Sequence, residues 1–332
     1  MGPRHLRLRD CSLASLAQQF GLELVGEDRT VSALDYVEAP AALAGVQLTY
    51  AVSAEWVNAC LTRGIAACLT TQELVRPSGT TSFLLTRADP VDTFFTIFTT
   101  LQREGRWQQV ESVRAPNVEI APSAVVHDHV VLGPGCRIMD HAVVLPNSWL
   151  GESVVVQPGA VIGGDGFEIK VIDGHRRVVP HAGGVWLGDG VTIGSGTCVD
   201  RGLFGEFTTV GAGTMVDNLV HIAHRAVLGR DCSVIACAEL SGSVVLGDGV
   251  WIGPNVSVNQ QLTVGDHAFI GTGAVVTRPV PAFALAYGSP ARVRGWRCSC
   301  GSSLEADRPA VTCASCKQRY HVAGEPPTLR RD

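Results

Sequence analysis

VHDHVVLGPGCRIMDHAVVLPNSWL, residues 126–150, places an aliphatic side chain at every sixth position: Val126, Leu132, Ile138, Val144 and Leu150. The same phase begins at Ile120 and continues through Val156 and Ile162. It resumes at Leu187, Ile193 and Val199, then runs from Val210 through Val216, Ile222, Leu228, Val234, Leu240, Leu246, Ile252, Val258, Val264 and Ile270 to Val276. A helix repeats near 3.6 residues and an ordinary strand near two, so a strict six fits neither element alone. It is the signature of a solenoid, in which a short strand buries its single aliphatic residue only by stacking on the next coil. Three hexads close one coil, which puts residues about eighteen apart above one another. The expectation is a mainly β protein whose centre, residues 111–295, is a parallel β-helix.

A chain of 332 residues exceeds the usual single domain. A hydrophobic share of 46 %, only 17 % charged residues and 37 glycines suit a β-rich solenoid. The net charge of −5, with no basic arm, speaks against a nucleic-acid partner, because phosphate binding needs a basic face. The opening MGPRHLRLRD is followed by CSLASLAQQFGLEL, which is amphipathic rather than continuously apolar. With neither a secretory leader nor an eighteen-residue apolar run, a cytoplasmic protein without a transmembrane segment is expected. Eleven cysteines, an odd number, fit reduced thiols plus a metal site better than a disulfide framework.

Before the hexads, residues 11–21 read as a short helix with Leu13, Leu16, Ala17 and Phe20 on one face and Gly21 as its stop. Short mixed segments follow at residues 30–34, 47–52, 66–69 and 82–85, and a second helix runs from Asp89 or Pro90 to about Arg103. Together they make a small α/β domain, residues 1–110, joined to the solenoid through the polar stretch Arg103 to Pro116. After the hexads, residues 296–332 hold Cys298, Cys300, Cys313 and Cys316. Two close thiolate pairs at this separation suit a structural, four-sulfur zinc site of ribbon type, with disulfides or free thiols as the alternative. So few apolar residues would need such a staple to fold, and His321 is a weaker ligand candidate.

An α/β domain directly before hexads that open with Ile120-Ala121-Pro122-Ser123-Ala124 resembles the UDP-3-O-acylglucosamine N-acyltransferases of lipid A biosynthesis. The most specific segment is Val216-Asp217-Asn218-Leu219-Val220-His221-Ile222-Ala223-His224-Arg225, which follows Cys198-Val199-Asp200-Arg201-Gly202. The resemblance implies a left-handed β-helix, a homotrimer, and transfer of an acyl group from a thioester donor to an amine on a UDP-linked amino sugar. It makes His224 the catalytic base and Asp217, Asn218 and His221 contacts to the acceptor. It makes Tyr50 and Trp56, six apart, the aromatic clamp on uracil, with Ser53 where the family has Asn; two core aromatics are the alternative. Gly163-Gly164-Asp165-Gly166-Phe167 and Val179-Pro180-His181-Ala182-Gly183 resemble the loop bordering the acceptor and acyl pocket, which brings in Asp165 and Phe167, although Asp165 also suits a plain turn.

The chemistry asks for such groups. An amine must lose a proton to attack a thioester, and imidazole, with an ordinary pKa near 6.5, takes it near neutral pH. The tetrahedral intermediate needs a donor for its oxyanion. One coil above His224 lies Gly242, where a glycine lets the substrate approach the backbone; a glycine for a tight corner is the alternative.

Two features depart from the family. Its second His is Gln261 here, a donor-side contact changed, and its carrier-docking helices are replaced by Gly288-Ser289-Pro290-Ala291-Arg292-Val293-Arg294. That ending resembles coenzyme A-dependent sugar acetyltransferases and implies Arg292 and Arg294 as contacts to coenzyme A phosphates. The donor is therefore acyl-CoA or an acyl carrier protein. The competing readings are a coenzyme A-dependent acetyltransferase of surface-polysaccharide or natural-product biosynthesis, and a non-catalytic hexapeptide scaffold.

Overall fold

In the computed structural model, which describes residues 5–9, 11–76, 79–172, 174–305, 310–323 and 328–331, most hexads form strands of only two residues, such as Val125–Val126 and Thr263–Val264. Neighbouring hexads do not pair with each other. Each strand pairs in parallel with the one a full coil later, Val126 opposite Val144 and Val144 opposite Ile162. Three sheets of eight, eight and eleven strands wrap one core. Ile162, Leu187, Val234 and Ile252 have no exposed surface, because each inward aliphatic is covered by the coils above and below. At the corners one residue turns through the left-handed region, a glycine at Gly135 and Gly159 but Asn at Asn147 and Asn255, the residue types that tolerate it best.

Up to Val276 the ladder departs from its eighteen-residue spacing twice. Ile162 pairs with Val199, and the chain between them leaves the solenoid as an antiparallel hairpin, Ile169–Ile172 with His175–Val178. A second, shorter loop leaves between Asp200 and Phe207. Both loops enter the N-terminal domain: Ile172, Val179, Ala182, Leu203 and Phe204 share one buried cluster with Leu34, Leu48, Tyr50, Phe94, Phe95 and Phe98. The two interruptions of the repeat are thus the surface on which the other domain is mounted.

That domain is a five-stranded sheet. Ala33–Leu34, Gln47–Tyr50, Ala67–Thr70 and Ser82–Leu85 run parallel, and Glu23–Val25 closes it antiparallel. Helix α1 (Leu13–Phe20) starts at Ser12, whose hydroxyl accepts from Ser15 N–H, and stops at Gly21 with φ 65°. Helix α2 (Ala54–Thr62), which the sequence pattern does not announce, starts at Ser53, whose hydroxyl accepts from Trp56 N–H, and buries Val57 and Cys60. Helix α3 (Pro90–Arg103) has Asp89 as its cap and Pro90 in its first turn, and it buries Phe94, Phe95, Ile97, Phe98 and Leu101.

At the far end Ala284–Tyr287 adds in parallel to Phe269–Ile270, and the chain turns back into the antiparallel strand Arg292–Arg297, to which Ser303–Leu304 is added. One solenoid sheet therefore runs unbroken through residue 296 into the cysteine-bearing segment. Cys298, Leu304, Cys313, Tyr320 and Leu329 form a small core against Phe283. No helix among the described residues is long and apolar enough to cross a membrane.

Candidate active site

His224 stands at the corner just past the strand His221–Ile222, with its side chain 14 % exposed. Two glycines make room for its ring. A methyl group on Gly242, one coil up, would lie 2.9 Å from Nε2, and one on Gly166, in the excursion loop, would lie 2.6 Å from Nδ1. Neither glycine has a left-handed φ. Proximity to the imidazole, not the corner, excludes a side chain there.

On the cavity side, His224 Nε2 is 3.5 Å from Glu168 Oε2, while Glu168 Oε1 is 2.6 Å from Lys170 Nζ. Burial holds the His224 pKa below the ordinary imidazole value, outweighing the upward pull of Glu168 and Asp200. The ring is therefore neutral near pH 7, the state a base requires.

A cavity of about 620 Å³ opens over this corner, between the two domains. Tyr36, Tyr50 and Trp56 form an aromatic wall, Glu38, Glu168, Lys170 and Arg225 supply charge, and His224, Gly242, Ser243, Gln260 and Gln261 come from the solenoid. Five sequence-derived candidates, Tyr50, Trp56, His224, Gly242 and Gln261, thus meet in one space. The clamp itself needs correction. The Tyr50 and Trp56 ring centroids are 5.8 Å apart at 41°, and Tyr50 is only 7 % exposed, wedged against Phe94 and Phe95. A flat base between two rings needs them roughly 7 Å apart, so these two touch each other and offer one face, not a slot. Trp56 lies in the first turn of α2, where its N–H donates to the Ser53 hydroxyl at 3.4 Å. A larger hollow of about 850 Å³, bounded by Phe20, Leu22, Arg87 and Thr96, holds none of the candidates.

The other candidates lie around the cavity rather than in its walls. His221 points outward from the same strand and meets Asp200 at 2.9 Å, a contact that raises its pKa. Asp217 accepts from Asn218 N–H at 2.7 Å and Ala236 N–H at 3.2 Å, and Asn218 Oδ1 accepts from Ser195 N–H at 2.7 Å, so both latch successive coils. Asp165 pairs with Arg201 at 3.2 Å, and Phe167 is 76 % exposed. Gln261 adopts φ 61° and donates its N–H to Gly242 O at 2.9 Å, fixing the loop above His224. Arg292 and Arg294 lie on the terminal hairpin, outside the cavity; Arg292 bonds the neighbouring Ala291 carbonyl, and Arg294 rests 6.0 Å from the Tyr287 ring.

Sequence reasoning passed over Tyr36, Lys170 and Arg225 as site residues and gave His181 and Glu168 no role. Arg225 lies 5.0 Å from the Tyr36 ring and is anchored from behind by Glu206 at 3.4 Å and Asp35 at 3.6 Å. For Arg225 and Glu168 the available signal was adjacency to motif residues; for Tyr36 there was none. In the C-terminal segment the four cysteine sulfurs lie within 4.8 Å of one another, with Cys298 to Cys316 at 3.4 Å and Cys300 to Cys313 at 3.6 Å. Tetrahedral zinc at about 2.3 Å from each sulfur sets them roughly 3.8 Å apart, so this set fits the metal closely.

Fold and repeats define a protein built of transferase hexapeptides: the family profile described as bacterial transferase hexapeptide (six repeats) matches residues 129–164 and 243–278. Part of the chain is similar to UDP-3-O-acylglucosamine N-acyltransferases. It is 48 % identical to that of Caulobacter sp. (strain K31) over 136 residues, 40 % of this chain and 39 % of that protein. It is 40 % identical to that of Methylobacterium sp. (strain 4-46) over 139 residues, 42 % of this chain and 39 % of that protein. The match thus spans about two fifths of the length of these curated relatives. Among solved structures, a UDP-N-acetylglucosamine acyltransferase from Campylobacter jejuni aligns with TM-score 0.45 and 25 % identity, over 54 % of this chain and 75 % of that one.

Proposed function

We propose that the protein is an N-acyltransferase that moves an acyl group from a thioester to the amine of a UDP-linked amino sugar. The observation that carries this is the neutral, half-enclosed imidazole of His224 against Gly242, in a cavity whose opposite wall is aromatic and whose charged groups, Glu38, Glu168, Lys170 and Arg225, are of both signs. The amine nitrogen attacks the thioester carbonyl and forms the C–N bond; His224 Nε2 takes the amine proton; the C–S bond breaks, and the thiolate leaves with a proton. A backbone N–H near Gly242 is the assigned oxyanion donor. The uracil stacks on the outer face of the Trp56 wall, and Lys170 and Arg225 face the diphosphate. Asp217, Asn218 and His221 extend the acceptor side along the solenoid, and Asp165 and Phe167 border the acyl group. The protein works as a cytoplasmic homotrimer.

The exposed Arg292 and the ring-supported Arg294 favour acyl-CoA over acyl carrier protein, with Gln261 on the donor side. Zinc, held by Cys298, Cys300, Cys313 and Cys316, fixes the terminal segment and takes no part in the reaction. The test is incubation of the trimer with a panel of acyl-CoA and carrier thioesters and UDP-amino sugars, read by mass spectrometry. Acylated UDP-sugar should form, and His224→Ala should lose roughly 10²- to 10⁴-fold in kcat. An unchanged kcat in that variant removes His224 from the mechanism.

A further inference from the structure

His181, in the excursion loop, is 1 % exposed and lies beside the base. Its Nδ1 is 3.0 Å from the carbonyl oxygen of Val179. A carbonyl only accepts, so Nδ1 carries the hydrogen and Nε2 is left as a lone-pair acceptor. That Nε2 has no hydrogen-bond partner among the described residues, and neither has His224 Nδ1; both atoms are buried. The two rings meet edge to face, centroids 5.1 Å apart at 64°. Both nitrogens converge on Gly166, where a methyl group would lie 2.6 Å from His224 Nδ1 and 2.8 Å from His181 Nε2.

Neutral His224 has one ring proton to place. On Nε2 it faces the Glu168 carboxylate at 3.5 Å, and the nitrogen that lines the cavity is then unable to accept a proton. On Nδ1 it faces the interior, where the unpartnered acceptor beside it is His181 Nε2. We propose that His181 is a positioning residue that selects the Nδ1–H tautomer of His224 and so leaves Nε2 free as the base, in opposition to Glu168. The link between the two rings is a small rotation or one bridging water, since no direct bond joins them now. Lys170, seated on Glu168 at 2.6 Å, weakens the competing pull. The other charged groups acting on His224 are Asp200, Arg225 and His221. Burial first, and then His224, lower the His181 pKa to about 4, so its acceptor persists through the neutral range.

The kinetic arm rests on the proposed acyl transfer; the spectroscopic arm does not. Two-bond ¹H–¹⁵N spectra of full-length protein with labelled histidine, recorded at pH 7, should show His224 with a protonated Nδ1 and a bare Nε2. His181→Phe keeps the ring volume and removes the acceptor, so it should move His224 toward the Nε2–H form and lower kcat roughly 10- to 100-fold with KM unchanged. His181→Gln, which restores an acceptor, should recover most of both. Wild-type protein with Nε2–H on His224 overturns the proposal even if the Phe variant does not fold, and so does a His181→Phe spectrum with the tautomer unmoved. A tautomer that shifts as expected in protein that transfers no acyl group refutes the reaction and leaves this assignment standing.

Discussion

A solvated imidazole is half protonated near pH 6.5, whereas His224, walled in by Gly166, Gly242 and His181, gives up its proton at lower pH. In the proposed role the neutral form is the base, so kcat/KM should hold as pH falls through 6.5 and decline only below it. A rate profile on the acceptor substrate measures this, and an acid limb above 6.5 contradicts the burial argument. Gly242 sharpens the point. In Gly242→Ala the new methyl sits 2.9 Å from Nε2, so the ring must shift, and displacements of about 1 Å at a reacting group cost roughly 10²-fold. A matching loss in kcat with little change in Tm is expected from steady-state kinetics and thermal melts. The juxtaposition of His224 and Gly242 was legible in the sequence because the two stand one coil apart in the repeat, whereas His224 itself was singled out by the family resemblance of its segment. Tyr36, Lys170 and Glu168 reach the same cavity, and His181 packs behind the His224 ring, from another domain and from a loop outside the repeat, where no periodicity marks them.

Among the elements, α1 and α3 were readable because their ends carry chemistry: Ser12 and Gly21 for one, Asp89 and Pro90 for the other. Helix α2 has a Ser cap too, yet its body, AEWVNACLT, mixes β-branched and small residues and follows directly on a strand that reads through Val52. The C-terminal segment was legible in its clustered cysteines and not in its attachment, since nothing in the spacing of four cysteines says that the solenoid sheet extends into them. Its core is small, with Cys313 and Tyr320 buried against Phe283, so the proposed zinc would supply most of its stability. Elemental analysis should find about one zinc per chain, and Cys313→Ser should lose it. Limited proteolysis of that variant should then cut within residues 298–331 while the strand Arg292–Arg297 stays protected by its pairing with Ala284–Tyr287. Equal resistance in metal-free protein would assign the stability to packing alone.

For the molecule as a whole, Phe204 is the joint. It is fully buried and meets Tyr36 and Phe98 at 5.1 Å and Phe94 at 5.9 Å, although it belongs to a solenoid loop. Phe204→Ala removes that contact at a cost of about 3–5 kcal/mol. It should lower Tm and raise KM for the proposed nucleotide-sugar acceptor, because the Tyr36 wall is carried by the loosened domain, while the β circular dichroism of the solenoid persists. An unaltered KM would mean that the aromatic wall keeps its place without the joint. The same architecture sets the order in which the chain acquires its structure. Along most of the ladder the pairing partners are close in sequence, Val144 with Ile162 and Leu240 with Val258, so one formed coil templates the next and growth is local and fast. Between Ile162 and Val199 that templating breaks, because the whole excursion must be looped out before the next rung can close. Closing this longer loop costs about 0.6 kcal/mol more than closing an ordinary coil, so this rung is expected to form after its neighbours, at the step that also brings His181 and Glu168 over His224. The candidate catalytic corner is thus expected to mature late, and a polypeptide arrested before that closure would hold most of its core without the proposed site.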